Sequence, residues 1–273
     1  VLDAFAARAR EMPADPSLVR LAPGGDAVHV RLTWRAWFDA AAAVAAALVD
    51  DGIGPGETVA LLVEHGRCWP IAELGVLLAG AATCTIPAET PEPTIARILR
   101  DVDAAGCVVE GSGALRTVLS LRRQASDLPG LWTIVTDAEE DGVHPGVRNW
   151  CGWLADGHLA ATAPPVRAEL QARWAQLDGA SPAMVVPSGR SPAGWRTVSH
   201  GTLHCAAARS GARPRAQATD GPWVVAAPHR ALSRRLAGLY APVLGGRCVV
   251  HVAHAADVDG ALHDSARHAA GSA

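Results

Sequence analysis

Residues Thr58 to Val109 read TVALLVEHGRCWPIAELGVLLAGAATCTIPAETPEPTIARILRDVDAAGCVV, and this stretch decides the fold. Val59 to Val63 is an unbroken apolar run of strand length, the pattern of a strand covered on both faces. Trp69 to Leu78 has helix length and stops at Gly80, and Ala82 to Ile86 is a second strand ending at Pro87. Thr90-Pro91 opens a helix with an apolar stripe of Ile95, Ile98, Leu99 and Val102, closed by Gly106, and Cys107 to Val109 is a third strand. Strand and helix alternate with short Gly/Pro joints. That predicts an α/β fold of repeated βαβ units, with a mostly parallel sheet and helices on both faces.

Upstream, the pattern predicts a short helix over Leu2 to Arg10 and a strand around Val28 to Leu32. Thr33 then caps a helix with Trp34, Trp37, Ala41, Val44 and Leu48 on one face. Gly52 fits the C-cap of that helix ahead of apolar Ile53, and its alanine content suits close packing on a sheet. Downstream, Leu115 to Ala125 reads as helix, Leu131 to Val135 as strand, Thr136 to Gly146 as acidic loop, Val147 to Leu159 as holding one short helix, and Pro164 to Leu177 as another. Past residue 202 the alternation continues: helix Leu203 to Arg209, strand Trp223 to Ala227, helix Leu232 to Leu244, strand Arg247 to Val252, helix Val258 to His268. A chain that stops straight after a βα unit reads as cut short.

The 273 residues are 49% hydrophobic and 19% charged, a globular composition. The net charge of −3 and the lack of a basic block give no reason to expect nucleic acid. The N-terminus has no apolar signal core, and the longest uncharged apolar run, Leu74 to Ala88, is too short to span a bilayer. No transmembrane segment and a cytoplasmic location are expected. Six cysteines, at 68, 84, 107, 151, 205 and 248, form no CxxC pair and read as reduced, buried thiols. His251 with His254, and His263 with His268, are poorly placed for shared ligation, so no metal site is assigned.

The stretch richest in chemistry is Pro182 to Thr202, PAMVVPSGRSPAGWRTVSHGT. A buried strand, Met184 to Val186, breaks at Pro187-Ser188-Gly189. A Gly/Pro-interrupted polar loop runs to Gly194, and a brief strand, Trp195 to Val198, precedes an Ala-rich helix. This is the layout of a phosphate-handling loop, in which glycines turn backbone N–H groups toward an anion. The loop holds no lysine. The candidate binding residues are Ser188, Gly189, Arg190, Ser191, Gly194 and His200, and no catalytic residue is assigned. Ser188, Gly189 and Ser191 have two readings, a residual phosphate nest or a surface turn. Pro187-Ser188-Gly189 is not a G-x-S-x-G elbow, which argues against a hydrolase.

Four stretches together resemble one family. They are Leu32-Thr33-Trp34-Arg35 through Gly54-Pro55-Gly56-Glu57-Thr58-Val59-Ala60, Leu77-Leu78-Ala79-Gly80-Ala81-Ala82 through Pro87, Pro187-Ser188-Gly189 through Ser199-His200, and Arg235-Leu236-Ala237-Gly238-Leu239-Tyr240 through Gly245-Gly246. In this order they resemble the N-terminal half of long-chain fatty acyl-CoA synthetases, of the adenylate-forming (AMP-binding) superfamily. The resemblance implies an acyl-adenylating ligase using ATP, Mg²⁺ and CoA, with a fatty acid or acyl ligand. It also implies an N-terminal α/β subdomain over residues 1–178 and a partial second one over 179–273. His200 would then lie near nucleotide or substrate, or else cap the helix opening at Gly201. Trp195, Trp223 and Tyr240 would line an acyl pocket, or else belong to core or surface.

Three departures from the family pattern matter. Arg190-Ser191-Pro192-Ala193-Gly194 replaces most of the phosphate motif, so that Ala193 or Gly194 stands at the lysine position. Arg190 or Arg196 offers only a differently shaped donor fork. In the long-chain motif, Ala231 stands for histidine and Arg234 for glutamate. The family's later nucleotide-binding segments and C-terminal domain are absent. Adenylation depends on positioning and electrostatics, so an inactive, truncated homologue is expected. It would act as a binding, structural or regulatory protein in lipid metabolism, self-associating or meeting a protein partner through the face the missing half would cover. The alternative is a working fatty acyl-CoA or acyl-AMP ligase completed by further parts.

Overall fold

The computed structural model describes residues 1–21, 28–63, 68–87, 89–124, 133–138, 144–188, 194–211, 223–226 and 239–252. The first elements in chain order are α1 (Leu2–Glu11), β1 (Pro16–Leu21), β2 (Val28–Thr33), α2 (Trp34–Asp50), β3 (Thr58–Val63), α3 (Trp69–Leu78), β4 (Ala82–Pro87), α4 (Glu92–Asp101), β5 (Ala104–Val109) and α5 (Gly111–Gln124). There follow β6 (Thr133–Thr136), β7 (Val147–Asn149), α6 (Trp150–Ala160), α7 (Pro164–Gln176), β8 (Pro182–Pro187), β9 (Trp195–Ser199), α8 (His200–Gly211), β10 (Trp223–Ala226), α9 (Ala241–Gly245) and β11 (Val249–Val252). They form two compact units, Asp39–Gly201 and Val1–Phe38 with Thr202–Ala273.

In the Asp39–Gly201 unit, seven strands lie in the order β7-β6-β5-β3-β4-β8-β9. All neighbours are parallel except β8 and β9. The α/β expectation with a mostly parallel sheet therefore holds. β3 sits centrally and all six of its residues are buried, as a strand covered on both faces must be. Ala60 and Leu62 enter a cluster with Ile95 and Leu99 of α4 and with Leu115 and Val118 of α5. On the opposite face, Thr83 and Thr85 of β4 reach Glu73 of α3. Burying each leucine here is worth roughly 1.5–3 kcal/mol.

Every residue of α3 is buried. That is possible because small residues let helices approach: a Cβ on Gly75 would lie 2.5 Å from the Cβ of Val44 on α2. Gly157 of α6 likewise meets the carbonyl of Ala43. Ala41, Ala43 and Ala47 of α2 thus lie close against helices α3 and α6, which their small side chains permit. Gly52 ends α2 with φ 79°, and Ile53 N donates to Leu48 O at 2.8 Å, the predicted C-cap. Thr33 caps the same helix through Ala36 N at 3.2 Å.

Some boundaries move. Gly106 does not close α4 but lies within β5, because the turn is made earlier, at Asp103 with φ 47°. β7 precedes the helix expected in 147–159, and β1 forms between the expected helix at the N-terminus and the expected strand around Val28, where none was predicted. α8 opens at His200, before the predicted start. The helices expected over 258–268 and most of 232–244, and residues Arg234 and Arg235, lie outside the described residues.

The other unit is built from sequence-distant pieces. Its sheet has the order β10-β11-β1-β2, with β1 parallel to β11 and antiparallel to β2. Phe5 of α1 lies edge-on to Trp37 at 5.2 Å, and Trp37 stacks on Trp34 at 5.8 Å. Arg8 Nη2 donates to Leu244 O at 3.1 Å, at the end of α9. Gly246 leaves that helix with φ 65° and has no Cβ to obstruct the guanidinium.

Candidate functional site

The phosphate-type loop stands at the tip of an antiparallel hairpin. β8 pairs with β9 from Pro182↔Ser199 to Pro187↔Trp195, and β8 joins the main sheet through Thr83↔Met184. Ser188 N donates to Gly194 O at 2.8 Å and closes the neck. Gly189, Arg190 and Ser191 lie outside the described residues. Because the Ser188 N–H is spent on the hairpin, the nest reading rests on the loop's remaining backbone amides.

His200 is placed elsewhere. It follows β9 at the far end of the hairpin, where its N–H donates to Ser181 O at 2.9 Å. Six residues of strand separate this end from Ser188, about 20 Å at the rise of extended chain. The structure therefore brings Ser188 and Gly194 together and sets His200 apart from them. The His200 Nε2 is buried and has no hydrogen-bond partner among the described residues, and burial holds its pKa below the ordinary histidine value. Beside it, a tight turn puts Gly179 O against Gly201, whose N–H it accepts at 2.9 Å. Asp178 Oδ1 accepts from Ser181 Oγ at 2.8 Å and from two backbone amides, and these bonds hold its carboxyl below the usual range.

The aromatic candidates divide. Trp195 is half-buried against the α4/α5 cluster, and its Nε1 donates to Asp101 Oδ2 at 3.0 Å. That is a role as hairpin anchor. Tyr240 is fully buried. Arg196 is exposed and pairs with Val186.

Two buried carboxylates escaped the sequence reading. In the order β4-β3-β5 the chain reverses direction across β3, and ligands of such sheets sit beyond the carboxyl ends of the strands at that reversal. Here Glu110, immediately after β5, occupies the place. Its Oε1 accepts from the N–H of Cys68 and of Trp69, the latter at 3.1 Å, so the N-terminus of α3 meets a carboxylate from its own chain. Glu73 accepts from Trp69 Nε1 and Thr83 Oγ1, both at 2.8 Å, and from Thr85 Oγ1 at 3.2 Å. The sequence signal was a lone acid in apolar surroundings beside a Thr-x-Thr strand.

All 24 basic residues of the chain are arginine, so no lysine exists at any position to serve the loop. All six cysteines are free, but only Cys68, Cys84 and Cys107 are buried as expected, Cys248 is half-buried, and Cys151 and Cys205 are exposed; burial raises the Cys107 thiol well above its usual range and pushes Cys248 up to about 11. Among the described residues, no group of histidine, cysteine and acidic side chains is arranged to hold a metal ion, and no helix is long and apolar enough to cross a membrane.

A family model described as AMP-binding enzyme matches residues 5–170. Bacitracin synthase 1 of Bacillus licheniformis is 33% identical over 102 residues, 36% of this chain and 2% of that protein. Tyrocidine synthase 2 of Brevibacillus parabrevis is 35% identical over 108 residues, 39% of this chain and 3% of its own length. Among solved structures, an anthranilate CoA ligase in complex with anthranoyl-AMP superposes with a TM-score of 0.71 at 19% identity, over 91% of this chain and 44% of that one. A fatty acyl-adenylate ligase from L. pneumophila, in complex with acyl adenylate and pyrophosphate, gives 0.65 at 15% identity, over 92% and 39%. The chain thus spans less than half of the structures it resembles and a small part of the two synthases.

Proposed function

The chain belongs to the AMP-binding enzyme family, and from that premise we propose that it is an acyl-adenylating ligase homologue that does not adenylate by itself and serves as a binding, structural or regulatory protein in the cytoplasm. The observation that carries this reading is the phosphate-type loop without lysine, in a chain without lysine. Forming an acyl adenylate requires the charge of the leaving pyrophosphate to be neutralised in place. Arg196 projects from a strand two residues inside the neck, and its planar fork does not replace a mobile ammonium. Ala231 and Arg234, in place of histidine and glutamate, also favour the inactive reading. An acyl ligand and self-association or a protein partner belong to the same proposal.

A second reading, a fatty acyl-CoA or acyl-AMP ligase using ATP and Mg²⁺ and completed by further parts, is favoured by one observation: the solved ligases it resembles extend well beyond the matched region. Calorimetric titration with Mg-ATP, run beside pyrophosphate exchange over a panel of fatty acids, decides between them. Silence in both assays from folded protein is expected; binding together with acid-dependent exchange would overturn the inactive reading.

A further inference from the structure

Helix α7 differs from the other helices of the Asp39–Gly201 unit. None of its thirteen residues is buried, whereas α3, α4, α5 and α6 each bury at least three. It docks through a half-buried stripe that includes Leu170 and Trp174, continued by Leu177 at its C-cap. Within that stripe Arg173 is the deepest polar contact, its side chain 13% exposed.

Arg173 Nη1 donates to Ile53 O at 2.8 Å and to Ala79 O at 3.2 Å. Ala79 is the C-cap of α3, and Ile53 follows the Gly52 turn that ends α2. One guanidinium therefore joins the C-cap carbonyl of α3, where it meets that helix's partial negative charge, to the segment just past the end of α2. Glu169, one turn earlier, aims the fork by accepting from Nε at 2.7 Å. The cradle depends on Gly54: a Cβ there would lie 2.6 Å from Cζ of Arg173 and would displace the guanidinium.

We propose that α7 is a strap that opens as a unit, with Arg173 as its latch on the end of α3 and the segment just past α2. The physical reason is a mismatch of anchoring. The strands of the sheet are held by buried apolar area, while the strap is held by half-exposed contacts and a charged hydrogen-bond fork, and such elements open below the global unfolding free energy. α7 runs through the Asp178–Ser181 turn directly into β8, so its opening loosens the entry to the loop-bearing hairpin.

Hydrogen exchange read by mass spectrometry on the full chain tests this. In the unaltered protein, α7 amides exchange more slowly than an unfolded chain but faster than those of β3, β4 and β5. Arg173→Ala and Gly54→Ala each accelerate α7 exchange by about 10- to 100-fold, as expected for losing hydrogen bonds to a charged group, and leave the three strands unchanged. Gly54→Ala is the independent arm, since it leaves the sequence of α7 intact. The two changes combined accelerate α7 no further than Arg173→Ala alone. The proposal is overturned if α7 exchange is unmoved by either variant, if the strands accelerate with α7, or if α7 of the unaltered protein already exchanges like unfolded chain.

Discussion

The centre and the edge of the seven-stranded sheet handle polar groups in opposite ways. At the centre, Glu73 and Glu110 are buried and surrounded by donors, and every residue of β3 is covered. At the edge, Arg196 and Thr197 of β9 face solvent, and the hairpin is tied to the rest through the pairing of β8 with β4 and the Trp195–Asp101 bond. A centre complete in itself does not depend on the loop it supports. The chemistry of the loop can therefore change while the fold persists, which is the combination this chain presents.

The comparison breaks if the centre tolerates truncation. Leu62→Ala, at a fully buried position of β3, is expected to cost about 2–5 kcal/mol, through lost transfer energy and the cavity left behind. Urea denaturation would show it as a lowered midpoint with unchanged slope. Gly157→Ala comes next. Its Cβ would meet the backbone carbonyl of Ala43, which cannot swing aside, so α6 must move at a cost of about 1–3 kcal/mol. A loss as small as that of a surface substitution would show that α2 and α6 are not closely packed.

The edge should respond weakly, and to specific contacts. Trp195→Phe keeps the ring over the core but deletes the bond to Asp101, an expected loss of about 0.5–1.5 kcal/mol. Asp101→Asn in the same background should then add little, because the partner has already gone. Arg196→Ala, exposed on the edge strand, should change stability by no more than about 0.5 kcal/mol in either direction. A larger loss from Arg196→Ala would mean that the hairpin edge carries the fold.

The legible part of the molecule was its centre. Runs such as Val59 to Val63 announce a doubly covered strand, and Gly52 and Thr33 act through local hydrogen bonds that few residues can make, so those elements and caps could be read directly. β1 was missed because Pro13 and Pro16 punctuate the segment where it starts, and although its partner β2 is near in sequence, its other partner β11 lies more than two hundred positions away. Gly106 misled because glycine marks both helix ends and close-packed strands, and Asp103 had already supplied the positive φ. At the candidate site, Ser188 and Gly194 were placed together by motif spacing, which the hairpin neck respects. His200 was a candidate through the resemblance alone, near nucleotide or substrate or capping the helix at Gly201, and the structure sets it at the opposite end of the hairpin from Ser188. Glu110 gave no motif, since its role appears only once α3 is brought over the end of β5.

His200 provides the finest test of the contrast, because it is a polar group at the hairpin's base whose Nε2 has no partner among the described residues, unlike the bonded carboxylates of the centre. Burial lowers its folded pKa below the unfolded value of 6.5, so the unfolded chain accepts a proton that the folded chain resists. The sign follows: this contribution to stability is complete above pH 6.5 and is lost as pH falls through that value toward the folded pKa. Partial exposure of the ring keeps the effect small. Urea midpoints measured from pH 8 down to pH 5 should fall more steeply for the unaltered protein than for His200→Gln, the other histidines contributing equally to both. Parallel curves would mean that the ring is solvated in the folded state, and that the base of the hairpin is as open as its edge.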